Sequence, residues 1–133
     1  MRTIWNALII WCLLSFGAAA DPKAMQSVID RQLDAFQNDD FAAAMEFASS
    51  GIKRYFGTPE IFGRMVTQGY PMVWRPGSVE YLEDRVESGV HFQRVRITDQ
   101  EGRVHVLDYR MTQTPDGWRI NGVTILDSAD FSA

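Results

Sequence analysis

The stretch VHFQRVRITDQEGRVHVLDYRMT, residues 90–112, indicates a β-hairpin and decides the fold of the chain. Its centre, D-Q-E-G, begins with Asp99 and ends with Gly102, which is typical of a type I turn followed by a glycine bulge. This turn places Asp99 opposite Arg103 and so fixes which residues of the two strands face each other. The pattern therefore predicts antiparallel strands over Val90–Thr98 and Arg103–Thr112.

The predicted register gives the hairpin one apolar face, which we assign to the core. The facing pairs are Ile97 with His105, Val95 with Leu107, Gln93 with Tyr109, and His91 with Met111. A slip of one residue would scatter this apolar set over both faces, so the hydrophobic pattern supports the register. On the opposite face, Arg94 lies across from Asp108, where we expect an exposed ion pair contributing about 0.2–1 kcal/mol.

Two further strands are predicted on either side of this hairpin, over Ser78–Asp84 and Trp118–Leu126. A tight turn at Thr114–Gly117 joins the last strand to the hairpin. The apolar parity of the last strand changes at Asn121 and Gly122, which predicts a β-bulge there. The bulge would keep four residues on the core side: Trp118, Ile120, Val123 and Ile125. Bulges bend a sheet, so we expect this sheet to be curved.

Three helices are predicted before the strands. The first starts at Asp21-Pro22, a cap residue followed by a proline suited to the first helical position. The second is predicted over Phe41–Ser49, with Gly51 as its C-cap, and the third runs from the Thr58 cap to Gly69. Tyr70–Gly77 is predicted to be a connecting loop. Helices followed by strands favour the α+β class.

Residues 1–20 are predicted to be a cleavable signal peptide. Arg2 supplies the positive start, an apolar run follows, and Ala18 and Ala20 occupy the small-residue cleavage positions. The run from Ile4 to Phe16 is about 13 residues, fewer than the ~20 that a spanning helix needs. We therefore expect cleavage after Ala20 and a periplasmic or secreted protein, with an uncleaved membrane anchor as the alternative.

Removal of this segment from the 133-residue chain leaves one domain of 113 residues. The single cysteine, Cys12, and Arg2 leave with it, so 12 basic residues face 17 acidic ones, a net charge of −5. The acidic balance and the mixed charge pattern argue against nucleic-acid binding. We also expect no membrane association after cleavage and no disulfide.

Several short segments carry a family resemblance that spans roughly Ala24–Ile125. They are Gln26–Asp30, Gln32–Phe36, Phe56–Glu60, Gln68–Pro71, Trp74–Pro76, Arg94–Asp99 and Gly117–Gly122. Together they resemble a bacterial family called domain of unknown function 4864. The order of elements resembles the nuclear-transport-factor-2-like cone. This resemblance implies three N-terminal helices packed in the concave face of a curved four-stranded antiparallel sheet, and a pocket between the two layers.

Six residues form the candidate pocket, because they lie at inward sheet positions, at the bulge or in the aromatic connector. They are His91, Gln93, Tyr109, Asn121, Trp74 and Tyr70. Inward-facing His, Gln and Tyr side chains are suited to binding a polar ligand group or to moving a proton. The structural alternative is that they serve the core, with the Tyr109 hydroxyl satisfied by a protein group.

The sequence gives little indication of a catalytic site. Asp108 faces outward in the predicted register, which argues against the buried carboxylate base used by isomerases of the cone fold. His91 and His105 supply at most two metal ligands, one fewer than a catalytic zinc site needs. We therefore predict no metal, no cofactor and no catalytic residue.

The sequence favours a non-catalytic module that binds a small hydrophobic or amphipathic molecule or a protein partner. Two alternatives remain open at this point. One is a lyase or isomerase that acts on a small hydrophobic substrate in the same pocket. The other is a structural module that forms a homodimer.

Overall fold

The computed structural model describes residues 21–126, so the predicted signal peptide lies outside the described residues. In this part of the chain, five helices precede four strands. The helices are α1 (Pro22–Gln37), α2 (Phe41–Glu46), α3 (Ser50–Phe56), α4 (Pro59–Gly69) and α5 (Pro71–Trp74). The strands are β1 (Pro76–Glu87), β2 (Val90–Asp99), β3 (Val104–Thr114) and β4 (Gly117–Leu126). They form one antiparallel sheet in the order β1-β2-β3-β4, which confirms the predicted α+β class.

Side-chain caps start the helices where the sequence predicted them. The Asp21 carboxylate accepts a hydrogen bond from the Lys23 backbone N–H at the start of α1. Thr58 Oγ1 accepts one from the Ile61 backbone N–H at the start of α4. Each cap pairs a backbone donor that the first helical turn leaves without a partner.

The predicted second helix ends earlier than expected, an unpredicted helix follows it, and Gly51 is not its C-cap. Helix α2 ends at Glu46, and Gly51 lies in the first turn of α3, behind the Ser49 cap. The cause is a contact that is distant in sequence. Ile120 of β4 donates its N–H to the Phe47 carbonyl at 2.8 Å and accepts from the Ser49 N–H at 2.8 Å. These bonds pull the chain between α2 and α3 out of helical geometry.

The segment Tyr70–Gly77, predicted to be a loop, contains a short helix, because Pro71–Trp74 forms α5. Proline at the first helical position starts this turn. The Arg75 backbone N–H then bonds to the Pro71 carbonyl at 2.9 Å. Helix α5 lets the chain pass from α4 into β1 while its Met72 and Val73 are buried.

The sheet has the predicted register. His91 pairs with Met111, Gln93 with Tyr109, Arg94 with Asp108, Val95 with Leu107, and Ile97 with His105. Between β3 and β4, Arg110 pairs with Gly122 and Met111 with Ile120, which leaves Asn121 as the predicted extra residue of a bulge. Two further irregularities interrupt β1, one between Pro76 and Ser78 and one between Tyr81 and Asp84. Bulges of this kind bend the sheet around the helices.

The core lies between the helices and one face of this sheet. Its largest fully buried side chains are Tyr109, Phe36, Met25, Ile29, Ile97 and Leu107. A Cβ atom at Gly63 of α4 would lie 2.7 Å from the Phe41 ring, so glycine allows the close approach of α2 and α4. Trp118 and Ile120 are buried as predicted, but Ile125 is 41% exposed. Ile125 pairs with buried Leu107 near the end of β4, the last strand of the sheet.

Candidate functional site

A cavity of about 210 Å³ lies between the helical layer and β4. Its lining comes from α1, α3, α4 and α5, from the segments that join the helices, and from the bulged part of β4. The lining residues are Gln32, Phe36, Ala48, Ile52, Phe56, Phe62, Met65, Val66, Tyr70, Val73, Ile120, Gly122 and Val123. Most of these side chains are apolar, so the cavity is suited to hydrophobic groups.

The cavity has a buried floor and a partly exposed mouth. Floor residues such as Phe36 and Ile120 are at most 4% exposed. The half-buried residues of the mouth are Ile52, Phe56, Met65, Tyr70, Gly122 and Val123. Two bulky residues that precede lining residues in the sequence are exposed. Tyr55, next to Phe56, is 81% exposed, and Ile61, next to Phe62, is 48% exposed. A ligand would therefore enter between α3, α4 and β4.

Gln32 places an amide on the floor of this cavity. It lies on α1 at helical spacing from Ile29 and Phe36, and only 4% of it is exposed. Its Nε2 donates to the Ala44 carbonyl at 3.1 Å. Within residues 21–126, its Oε1 has no hydrogen-bond partner. Gln32 therefore brings an acceptor to an otherwise apolar wall.

Tyr70 is the one member of the predicted pocket that lines this cavity. Its hydroxyl donates to the Val123 carbonyl at 3.0 Å and thereby ties the α4–α5 junction to β4. This bond positions the ring at the mouth.

Tyr109 lies in the core behind the cavity. It is completely buried, and its hydroxyl has no hydrogen-bond partner among the described residues. Burial raises the pKa of its hydroxyl, and the neighbouring Tyr70 raises it further. Tyr109 therefore stays neutral at physiological pH, as a donor without a protein acceptor.

Gln93 is buried, and its amide is occupied by protein groups. Its Nε2 donates to the Leu82 carbonyl at 3.0 Å and to the Arg94 carbonyl at 2.9 Å. Its Oε1 accepts from Gln26 Nε2 at 3.3 Å. The side chain therefore satisfies the backbone at the β1 bulge and links it to α1.

The remaining three predicted residues lie apart from the cavity. The His91 ring packs edge-on against Trp118, with centroids 5.0 Å apart, and its Nδ1 is buried without a partner among the described residues. Asn121 Oδ1 accepts from Ser49 Oγ at 2.8 Å. Trp74 Nε1 donates to Asp39 at 2.8 Å, next to Arg75. The structure thus distributes the six predicted residues over several places, and it brings His91 and Asn121 together in the lining of a second cavity.

Asp108 lies on the outer face of the sheet, as predicted, but the prediction of an exposed ion pair is wrong. Asp108 is only 7% exposed. Its carboxylate accepts hydrogen bonds from Arg94 Nε at 3.1 Å and from both terminal nitrogens of Arg85, at 3.0 and 2.8 Å. Burial raises the pKa of its carboxyl, but the hydrogen bonds and charges of the two arginines outweigh burial and lower it. Asp108 is thus a permanent anion at neutral pH.

His105 serves the hairpin turn. Its Nε2 lies 2.8 Å from Asp99 Oδ2, and the other carboxylate oxygen of Asp99 accepts the backbone N–H groups of Glu101 and Arg103. The hydrogen bond from His105 is the main cause that lowers the pKa of Asp99, although burial opposes it. Within residues 21–126, no group of three potential metal ligands occurs, and no helix has the length and apolarity to cross a bilayer.

The sequence reasoning missed Gln32, although a signal for it exists. Gln32 lies three residues after Ile29 and four before Phe36, which puts it on the apolar stripe of α1. A polar residue on such a stripe indicates a buried group that needs partners. Ile52 and Phe56 of α3 also line the cavity, but the sequence did not predict the helix that positions them.

Comparison with known proteins supplies one family and one distant structural likeness. No curated protein sequence matches the chain. A solved structure described as the phospholipid-binding protein from Ralstonia solanacearum, in complex with a phospholipid, is similar to it, with 15% sequence identity. The match covers 80% of this chain and 78% of that chain, with a TM-score of 0.49. The model of the family described as "Domain of unknown function (DUF4864)" matches residues 18–133, and the chain therefore belongs to this family.

Proposed function

We propose that this domain binds a small hydrophobic or amphipathic molecule in the cavity between α1, α3, α4 and β4, without catalysis. The apolar lining of that cavity is the observation that carries the proposal. Transfer of an apolar ligand from water into such a site is favourable by about 25 cal/mol for each Å² of apolar surface buried. A single apolar chain or ring is therefore the best match to the lining.

The size of the cavity limits the ligand. Its volume of about 210 Å³ corresponds to roughly seven water molecules at ~30 Å³ each. Sites for drug-sized ligands occupy about 300–1,000 Å³. We therefore expect one short or medium-length chain inside, with any larger part of the molecule outside the mouth.

The polar groups nearby support binding over acid–base chemistry. Among the described residues, those that line the cavity include no carboxylate and no histidine. Asp108, the buried carboxylate of the sheet, is held on the other face by Arg85 and Arg94. An isomerase or lyase would need an acid–base group that can exchange a proton with its substrate. The one tyrosine in the lining, Tyr70, uses its hydroxyl hydrogen on the Val123 carbonyl.

We also infer that the domain acts after export and belongs to the nuclear-transport-factor-2-like superfamily. In support, Asp21 caps α1, so helical structure starts directly after the predicted cleavage site. The order of helices and the bulged antiparallel sheet support the superfamily assignment. N-terminal sequencing of protein from the periplasm should find Asp21 first. A chain that retains Met1 and stays in the membrane would contradict cleavage after Ala20 and favour the uncleaved membrane anchor.

Two neighbouring positions on β4 test the cavity. Val123 lines it, whereas Thr124 pairs with Asp108 on the outer face. Val123→Trp should fill the mouth and weaken binding of octan-1-ol at least tenfold in isothermal titration calorimetry. Thr124→Trp, the matched control, should bind like the wild type. Equal affinities in all three proteins, or no binding of octan-1-ol to the wild type, would contradict the proposal.

A further inference from the structure

We infer that the ligand of this cavity enters polar end first, and that the amide oxygen of Gln32 accepts a hydrogen bond from a neutral donor group on it. The ligand class is a single-chain amphiphile ending in a hydroxyl or an amide N–H. This inference rests on the proposed function, because it names the chemistry of the molecule in the same cavity.

The orientation of the Gln32 amide follows from its neighbour. The Ala44 carbonyl can only accept, so the group 3.1 Å from it must be the NH₂ of Gln32. This contact directs the amide oxygen elsewhere. Since Gln32 is 4% exposed and lines the cavity, that oxygen has only the cavity side on which to find a donor.

A second buried glutamine, Gln93, serves as a comparison, because both its amide nitrogen and its amide oxygen have hydrogen-bond partners. Gln93 is fully buried, and its Oε1 accepts a hydrogen bond from Gln26. Gln32 has the same type of side chain and nearly the same burial, but within residues 21–126 its Oε1 lacks such a donor. Among the described residues, the fully buried side-chain atoms without a partner are His91 Nδ1 and the Tyr109 hydroxyl, so Gln32 Oε1 keeps accessible surface on the cavity. A ligand donor can therefore reach this oxygen and take the place of water there.

The position of Gln32 sets the direction of the ligand. Gln32 lies on the floor, close in sequence to buried Phe36, whereas Ile52 and Met65 are half-buried at the mouth. The donor group must therefore be deep and the apolar chain must extend outward. The Tyr70 hydroxyl donates to the Val123 carbonyl, and its oxygen can still accept a hydrogen bond. Tyr70 lies at the half-buried mouth, however, so a donor bound there would not be deep in the cavity.

The charge of the ligand follows from the same lining. Among the described residues, no lysine, arginine or histidine lines the cavity. A carboxylate at the floor would meet the partial negative charge of Gln32 Oε1 with no cation to offset its burial. The site therefore selects a neutral alcohol or amide over an ionised fatty acid.

A pair of isomers tests the donor requirement in the wild-type protein. Octan-1-ol and 1-methoxyheptane have the same formula and a similar length, but only the alcohol donates a hydrogen bond. The alcohol should bind about three- to tenfold more tightly, the range expected for one neutral hydrogen bond. Octanoate at pH 7.5 should bind at least tenfold more weakly than octan-1-ol.

Gln32→Met then tests the residue, because methionine keeps the length of the side chain and removes the acceptor. In this variant the preference for the alcohol should disappear or reverse, because the alcohol would bury a hydroxyl donor without an acceptor and the ether would not. Gln37→Met is the matched control, since Gln37 is an exposed glutamine at the end of the same helix. That variant should keep the wild-type preference.

Each outcome separates this inference from the proposed function. Equal binding of both isomers to the wild type would overturn the role of Gln32 and leave hydrophobic binding in the cavity intact. A preference that survives in Gln32→Met would overturn it as well. Binding of neither isomer would overturn both proposals. Should Gln32→Met fail to fold, the isomer preference of the wild type decides the question.

Discussion

The outer face of the sheet pairs its buried carboxylate fully, whereas the helix-covered side pairs Gln93 but leaves other polar groups without a partner among the described residues. On the outer face, Asp108 is surrounded by the guanidinium groups of Arg85 and Arg94, and its hydrogen-bonding capacity is used by the protein. On the helix-covered side, the Tyr109 hydroxyl and Gln32 Oε1 have no partner among the described residues. Satisfied groups stabilise a fold, whereas unused capacity beside a cavity is available to a ligand. We therefore expect the ion pairs of the outer face to affect stability, and the unused groups on the helix-covered side to affect the proposed ligand binding.

Loss of the outer-face carboxylate should have the largest effect on stability. Asp108→Ala leaves Arg85 and Arg94 close together without their shared anion, although Glu87 and Glu83 still pair with them. We expect a loss of about 2–4 kcal/mol in the free energy of unfolding, as for other broken buried pairs. Urea denaturation followed by circular dichroism measures it.

The control for this change is Asp116→Ala in the exposed β3–β4 turn, which should alter the free energy of unfolding by less than ~0.5 kcal/mol. If Asp108→Ala were as mild as this control, the outer face would not be the stabilising one.

Two tyrosines on the helix-covered side sharpen the comparison. The Tyr81 hydroxyl donates to the Gln26 carbonyl at 3.1 Å and contacts the Asp30 carboxylate, whereas the Tyr109 hydroxyl has no partner among the described residues. Tyr81→Phe should therefore lower the free energy of unfolding by about 1–2 kcal/mol. Tyr109→Phe should leave it unchanged or raise it slightly. A loss of more than ~1 kcal/mol for Tyr109→Phe would show that its hydroxyl is satisfied.

The pH dependence gives the smallest effect. The folded-state pKa of Asp108 is lowered, so its contribution to stability is present above the unfolded pKa of about 3.9 and is lost as the pH falls through the folded value. The wild type should therefore lose stability between about pH 4 and pH 2 more steeply than Asp108→Ala. Asp39 and Asp99 also have lowered pKa values, so they contribute to the pH dependence of stability in both proteins. Identical slopes would contradict the assignment to Asp108.

Local chemistry made the sheet predictable. The hairpin register depends on the Asp99–Gly102 turn and on a side-chain alternation with a period of two, and both are visible in neighbouring residues. The bulge at Asn121 was predictable because the apolar parity changes there. The caps at Asp21 and Thr58 are equally local. The burial of the Arg94–Asp108 pair was not predictable, because it depends on Arg85, which belongs to β1 and is distant from Asp108 in sequence.

The sequence by itself determined that helices precede four strands, the register of the central hairpin and the outward direction of Asp108. These features follow from contacts between residues that are close in sequence or related by one turn. Only the tertiary structure decided where α2 stops, since Ile120 draws the Phe47–Ser49 segment into backbone hydrogen bonds. It also decided which glutamine is satisfied and which faces a cavity. Those outcomes depend on packing between segments that are tens of residues apart, and no local pattern encodes which donor will arrive beside a given acceptor.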